Sequence, residues 1–168
     1  MGIPYNDQIV INSNNLYFMK AMLETTFTGF TGLTGVNQKI PNFIEQFNGI
    51  NPYYGDLDEV SQEWLCRDTG FYRVNILLVV QSATVDELRA VFIQTRLTED
   101  GTPAIIAQGG CDHRGPGSEG HIWTIQSSIL HYIKAGSKID FLFNWIVGDG
   151  IGLSITNTIT HFDIAKIY

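Results

Sequence analysis

The chain has 168 residues, one domain's worth, and a net charge of −7 from ten Lys and Arg against seventeen Asp and Glu. A domain of this length buries roughly two-thirds of its unfolded surface and needs no disulfide or metal to hold it together. The basic residues are scattered singly, which argues against nucleic acid, where clustered cations make the phosphate contacts, and against an anionic membrane surface.

Only 16% of residues are charged, against about 25% in an average domain. Seventeen glycines and many aromatics suit a β-rich body with frequent turns; long amphipathic helices would need more Glu, Lys and Ala. Cys66 and Cys111 form no Cys-x-x-Cys pair and are too few for a disulfide scaffold. They read as buried thiols of a protein assembled inside a cell, with a single bridge between them left open. The start, Met1-Gly2-Ile3-Pro4-Tyr5-Asn6-Asp7, has neither the basic stretch nor the apolar core of a signal peptide. No window approaches the roughly 18 apolar residues of a membrane-spanning helix.

In chain order, residues 16–23 fit helix and strand equally poorly. Residues 27–35 are three triplets with glycine third, the collagen spacing, but three triplets without proline sustain no triple helix, so they read as a glycine-punctuated strand or loop. From residue 40 strands and turns alternate: 41–47, a polar loop 48–59, then 60–66. Asp68-Thr69-Gly70 turns into 71–80, the clearest strand of all. Residues 88–97 and 102–108 flank Asp100-Gly101, a strong hairpin signal. A long glycine-rich loop, 109–120, precedes strands at 121–134 and 137–147. Residues 152–160 and 161–168 complete the series. Eight or more strands at this spacing predict an all-β jelly-roll sandwich of two antiparallel sheets, with residues 1–38 as an N-terminal arm or extra strands and 39–168 as the jelly roll.

Over residues 40–168 the order of motifs resembles the trimeric jelly rolls of the tumour-necrosis-factor superfamily, which includes the globular heads of complement's first component. The matching residues are Asn48, Tyr54, Trp64 and Cys66, then Gly70-Phe71-Tyr72 opening a central strand. A Lys-x-Gly restart follows at Lys134-Ala135-Gly136, and an aromatic-led last strand begins at Phe162. The family usually has Gly after that Phe, where this chain has Asp163. The resemblance implies a homotrimer packed around a threefold axis through one sheet's outer face. It also implies that His161, before the terminal Phe, lies near the axis, where three histidines would make the trimer sensitive to pH.

Strand alternation divides the residues independently. Tyr72, Val74, Ile76, Leu78 and Val80 should face the core, and Phe71, Arg73, Asn75, Leu77 and Val79 should face outward. Leu77 and Val79 are more apolar than an uncovered face requires, and the same holds for Leu130 and Tyr132 among Ile129, His131 and Ile133. A strand apolar on both faces must be covered on both. The expected trimer interface is therefore Leu77, Val79, Leu130, Tyr132 and His161, with loops or the N-terminal segment as the competing cover.

Chemistry-bearing patterns are sparse. Cys111, Asp112, His113 and His121 match no zinc spacing and read as exposed loop. No two of His113, His121, His131 and His161 form the His-x-His pair that metal-dependent jelly-roll enzymes use, and there is neither a nucleophile elbow nor a phosphate loop. Asp56, Asp58 and Glu59 lack the ligand alternation of a calcium loop. These patterns predict no catalytic site, metal or cofactor. Trp64 and Trp123 are candidates for stacking on sugar, whereas Trp145 falls in phase with Ile139, Phe141 and Phe143 and should be core.

A start at Met1 with no secretion signal or anchor fits a virus or bacteriophage structural protein, assembled in the host cytoplasm and carried on the virion, better than an extracellular cytokine. The expectation is a non-enzymatic trimeric capsid decoration, or cement, protein. It would meet the major capsid protein or another virion protein through Tyr17, Phe18, Phe27 and Phe30. The second expectation is a receptor- or glycan-binding head of a tail fibre or surface filament.

Overall fold

A computed structural model describes residues 18–28, 36–48, 54–82, 89–113, 122–145 and 153–167. Twelve strands are present among them: β1 (Phe18–Leu23), β2 (Gln38–Lys39), β3 (Phe43–Asn48), β4 (Gly55–Asp58), β5 (Glu63–Cys66), β6 (Gly70–Ser82), β7 (Arg89–Glu99), β8 (Thr102–His113), β9 (Ile122–Ile133), β10 (Lys138–Trp145), β11 (Leu153–Ile155) and β12 (His161–Lys166). All pairings are antiparallel. They form two six-stranded sheets, the all-β jelly-roll sandwich that the turn spacing predicts.

The first sheet is built on β6. One edge of β6 pairs with β9 along its length, and the other pairs with β12 at residues 72–77 and β11 at residues 80–82. Beyond β12 come β1 and β3. The second sheet runs β4-β5-β10-β7-β8, with β2 on the same edge of β10 as β5. Inner faces follow strand alternation: Tyr72, Val74, Ile76, Leu78 and Val80 are each at most 1% exposed and meet Ile139, Phe141, Phe143 and Trp145 of β10 in one core. Phe43 meets Phe141 and Phe162 edge to face at its centre, and those two rings tilt against each other, with ring centroids 4.7–6.3 Å apart. Each such buried side chain contributes about 1.5–3 kcal/mol.

Several elements depart from the sequence pattern. Of residues 16–23, ambiguous in sequence, Phe18–Leu23 form β1 inside the first sheet, with Met19, Ala21 and Leu23 in the core. The polar stretch 48–59 contains β4, whose partner β5 covers its backbone. The strand predicted over 152–160 stops at Ile155. Thr156 N–H then donates to the Val79 carbonyl, a turn projects outward, and the Thr160 hydroxyl accepts from Val79 N–H at 3.0 Å. The chain thereby stays on one edge of β6 and re-forms it as β12.

The hairpin at Asp100-Gly101 has positive φ at both residues, 51° and 78°, the primed-turn geometry that matches strand twist. Strand β8 extends through Gly109 and Gly110, which the sequence places in a loop. Here the two sheets close together: a Cβ on Gly109 would lie 2.0 Å from the Gln126 carbonyl oxygen of β9. The free edge of β3 is blocked by the next turn. Gln62, at φ 56°, accepts from Phe43 N–H at 2.7 Å and donates to its carbonyl at 3.1 Å, while Glu59 accepts from Glu45 N–H. Such blocking protects a sheet edge from pairing with another chain.

Outside the second sheet, Asp140 is 3% exposed yet carries a full set of partners. Arg96 grips both its oxygens and Lys39 sits at 3.0 Å. Lys39 and Lys138 both pair with Glu63, which ties β2, β5, β7 and β10 together. The Lys138 hydrogen bond, opposed by burial and helped by Lys39, holds the Glu63 carboxyl below the usual range.

Two outcomes follow. Asp140→Ala strips two cations of their shared partner and should lower unfolding free energy by about 2–4 kcal/mol in urea denaturation. Gly109→Ala drives a methyl into backbone that has no rotamer to yield, and should cost about 1–3 kcal/mol in the same assay.

Candidate functional site

The outer face of the first sheet is the surface on which the candidate residues converge, and strand register arranges it in rows. At one end Tyr132 lies opposite Phe71, with ring centroids 5.3 Å apart, and Ile167 N–H donates to the Phe71 carbonyl. The next row is Leu130, Arg73 and Ala165; then come Ser128, Asn75, Asp163 and Lys20; then Gln126, Leu77, His161 and Met22. Phe71, Leu130, Tyr132 and Ile167 are 44%, 58%, 48% and 42% exposed. They make a continuous apolar strip that wraps from the face onto the free edge of β9.

The third row is polar and internally bonded. Ser128 Oγ donates to Asn75 Oδ1, and Asn75 Nδ2 donates to Asp163 Oδ1 at 2.9 Å. In the fourth row the carbonyl of Ile159 can only accept, so His161 Nδ1 carries the proton of their 2.8 Å hydrogen bond.

Beneath the apolar end a compact polar knot anchors β12. The Lys166 ammonium bonds Asp68 Oδ2 and the Thr69 carbonyl, and lies 4.7 Å over the Tyr54 ring. Tyr72 Oη and Cys66 Sγ both donate to the Asp68 carbonyl, at 2.5 and 3.1 Å. Burial is the main force pushing both the Cys66 thiol and the Tyr72 phenol up, so each stays protonated at neutral pH. No disulfide joins Cys66 to Cys111.

The five expected interface residues share this outer face, though unevenly. Leu130 and Tyr132 are exposed, Leu77 and His161 are half-buried, and Val79 is 7% exposed. Phe71 and Ile167 join the exposed apolar residues of this face; alternation gives Phe71 an outward direction, and only the backbone bond from Ile167 to Phe71 places those two side by side. Of the four aromatics expected to meet a partner, Phe27 bridges Ile155 and packs on the core, and the Phe18 backbone is in β1. Tyr17 and Phe30 lie outside the described residues.

Trp64 is fully buried, edge-on to Tyr72 at 5.3 Å, so it cannot stack on a sugar. Trp123 is half-buried against the same core, and Trp145 is core as its phase requires. His113 ends β8, so the stretch 109–113 is strand and not loop, while His121 lies outside the described residues. Among the described residues no three His, Cys, Asp or Glu side chains are grouped to hold a metal ion.

No family model matches the sequence, and no curated protein matches it. Solved structures do match in shape. Eiger TNF from S. frugiperda superposes with a TM-score of 0.61 at 11% identity, covering 92% of this chain and 94% of that one. Murine APRIL superposes with a TM-score of 0.58 at 9% identity, covering 89% and 98%. At such identities the likeness concerns backbone architecture alone, and it spans nearly the whole of all three chains. The chain thus has a TNF-like jelly-roll fold.

Proposed function

We propose that this chain is a self-assembling binding domain, a homotrimer in which the β8–β9 edge of one copy docks on the outer face of the first sheet of the next. The observation that carries the reading is the strip of Phe71, Leu130, Tyr132 and Ile167, four large apolar side chains adjacent in register and each more than two-fifths exposed. Contiguous apolar surface of this kind marks an interaction site. The strip belongs to the face and the edge at once. One chain therefore supplies both halves of a head-to-tail contact, which closes into a ring when the rotation permits. The resemblance to trimeric jelly rolls supplies the number three.

The same surface chemistry makes this a binding reading and not a catalytic one. A virion is the finer setting proposed, with the trimer decorating the capsid shell through a major capsid or other virion protein; support for that setting is confined to the sequence. Its arm of 38 residues includes Met19, Ala21 and Leu23 of the core, so deleting residues 1–38 would dismantle the first sheet and not merely strip an attachment segment. A glycan-binding head gains no support from Trp64, which is core.

Sedimentation velocity with the whole chain should give a mass three times the 18.8 kDa of one chain. Leu130→Glu and Tyr132→Glu should each give a folded monomer with an unchanged far-ultraviolet spectrum. A wild-type monomer at high concentration would overturn the reading. Trp64→Ala, in contrast, should act on stability, losing about 3–5 kcal/mol; a well-folded Trp64→Ala protein with selectively lost ligand binding would restore the sugar-stacking role.

A further inference from the structure

The face and the edge of this chain carry the same polarity profile along the strand direction. The contact between Gly109 and Gln126 levels β8 with β9, and the two strands run in opposite directions from it. Pro103 thus falls near the level of Tyr132, Ile105 near Leu130, and Gln108 near Ser127 and Ser128. Pro103 and Ile105 are exposed, as are Tyr132 and Leu130, and Gln108, bonded to Gln94 on the second sheet, is exposed at the level of Ser128. The edge is therefore apolar at the end and polar three rows in. The face repeats this order, with Phe71 and Ile167 at the end and Asn75 and Asp163 at the third row.

A closed ring has no translation along its axis, so if the axis runs with the strands, residues at equal levels meet. The apolar ends then cover each other, and the half-buried Asp163 carboxylate comes opposite the Gln108 carboxamide of the next copy. The two groups are complementary. Asp163 Oδ1 is used by Asn75 at 2.9 Å, and its second oxygen remains to accept. Gln108 spends its carbonyl oxygen on Gln94 Nε2 at 2.9 Å, and its own amide hydrogens remain to donate.

Resting on the trimer reading, we propose that a second copy of this chain is recognised by a hydrogen bond from its Gln108 to Asp163, which sets the height at which one copy docks on the next. Apolar contacts alone are non-directional and would let the copies slide along the strands. The second oxygen of Asp163, once covered by docking, needs a donor of its own, and Gln108 stands at one height only.

The test is a double-mutant cycle on the dissociation constant of the trimer, from sedimentation of the full-length chain and its variants Asp163→Ala, Gln108→Ala and the pair. Each single change should weaken association about tenfold per interface, the worth of one hydrogen bond to a charged group, which over three interfaces is about a thousandfold in the overall dissociation constant, and the pair should weaken it no more than either alone. Independent effects that multiply to about a hundredfold per interface would overturn the contact while leaving the trimer intact. A wild-type chain that never associates would instead sink the assembly reading on which the contact rests. Thermal melts that match wild type at concentrations where all forms are monomeric separate these effects from misfolding, and a variant that melts early is replaced by Asp163→Asn or Gln108→Glu at the same position.

Discussion

Strand β6 carries large apolar side chains on both faces, and most of the structure follows from covering them. Its inner residues, Tyr72 to Val80 at every second position, are sealed by the second sheet. Its outer residues begin with Phe71 and end with Val79, and the chain covers them unequally. Near Val79 the returning segment 156–160 pins the strand through a backbone bond from Thr156 and the Thr160 hydroxyl, and Val79 is buried. Near Phe71 the face stays open, the ring packing edge-on against its neighbour Tyr132. One end of the face is finished within the chain, and the other stays exposed.

Hydrophobic and polar constraints divide this labour. The core gives the sandwich its stability, whereas polar groups at its margins determine which surfaces stay open. Gln62 and Glu59 close the edge of β3 with side-chain amide and carboxylate groups. The Lys39, Glu63, Arg96, Asp140 and Lys138 network occupies the outer face of the second sheet with charge already paired. A surface whose polar groups are satisfied internally offers little to a partner. The outer face of the first sheet and the β8–β9 edge remain, and both carry exposed apolar side chains.

Much of this was legible in the sequence because period-two alternation is a local signal. The inward and outward sets of β6 and β9, the phase of Trp145, and the Asp-Gly hairpin all come from neighbours within a few residues. What was not legible depends on contacts far apart in the chain. Trp64 looks like a candidate sugar platform until β10 and Tyr72 enclose it. Gly109 and Gly110 look like loop residues until β9 is seen to cross against the first and β7 against the second. Residues 18–23 carry no clear period because β1 sits between β12 and β3, inside a sheet whose outer side is only partly covered. Phe71 and Ile167 are separated by most of the chain, and only the pairing of β6 with β12 makes them one strip.

The central claim is that the strip of Phe71, Leu130, Tyr132 and Ile167 is covered by another copy of the chain. Hydroxyl-radical footprinting across a dilution series, read residue by residue in a mass spectrometer, measures that cover directly. The account predicts that Phe71 and Tyr132 are protected at high concentration and become reactive over the same range in which the mass falls to one chain, while the buried Trp64 stays protected throughout. Reactivity of Phe71 and Tyr132 that is unchanged across that range would contradict it.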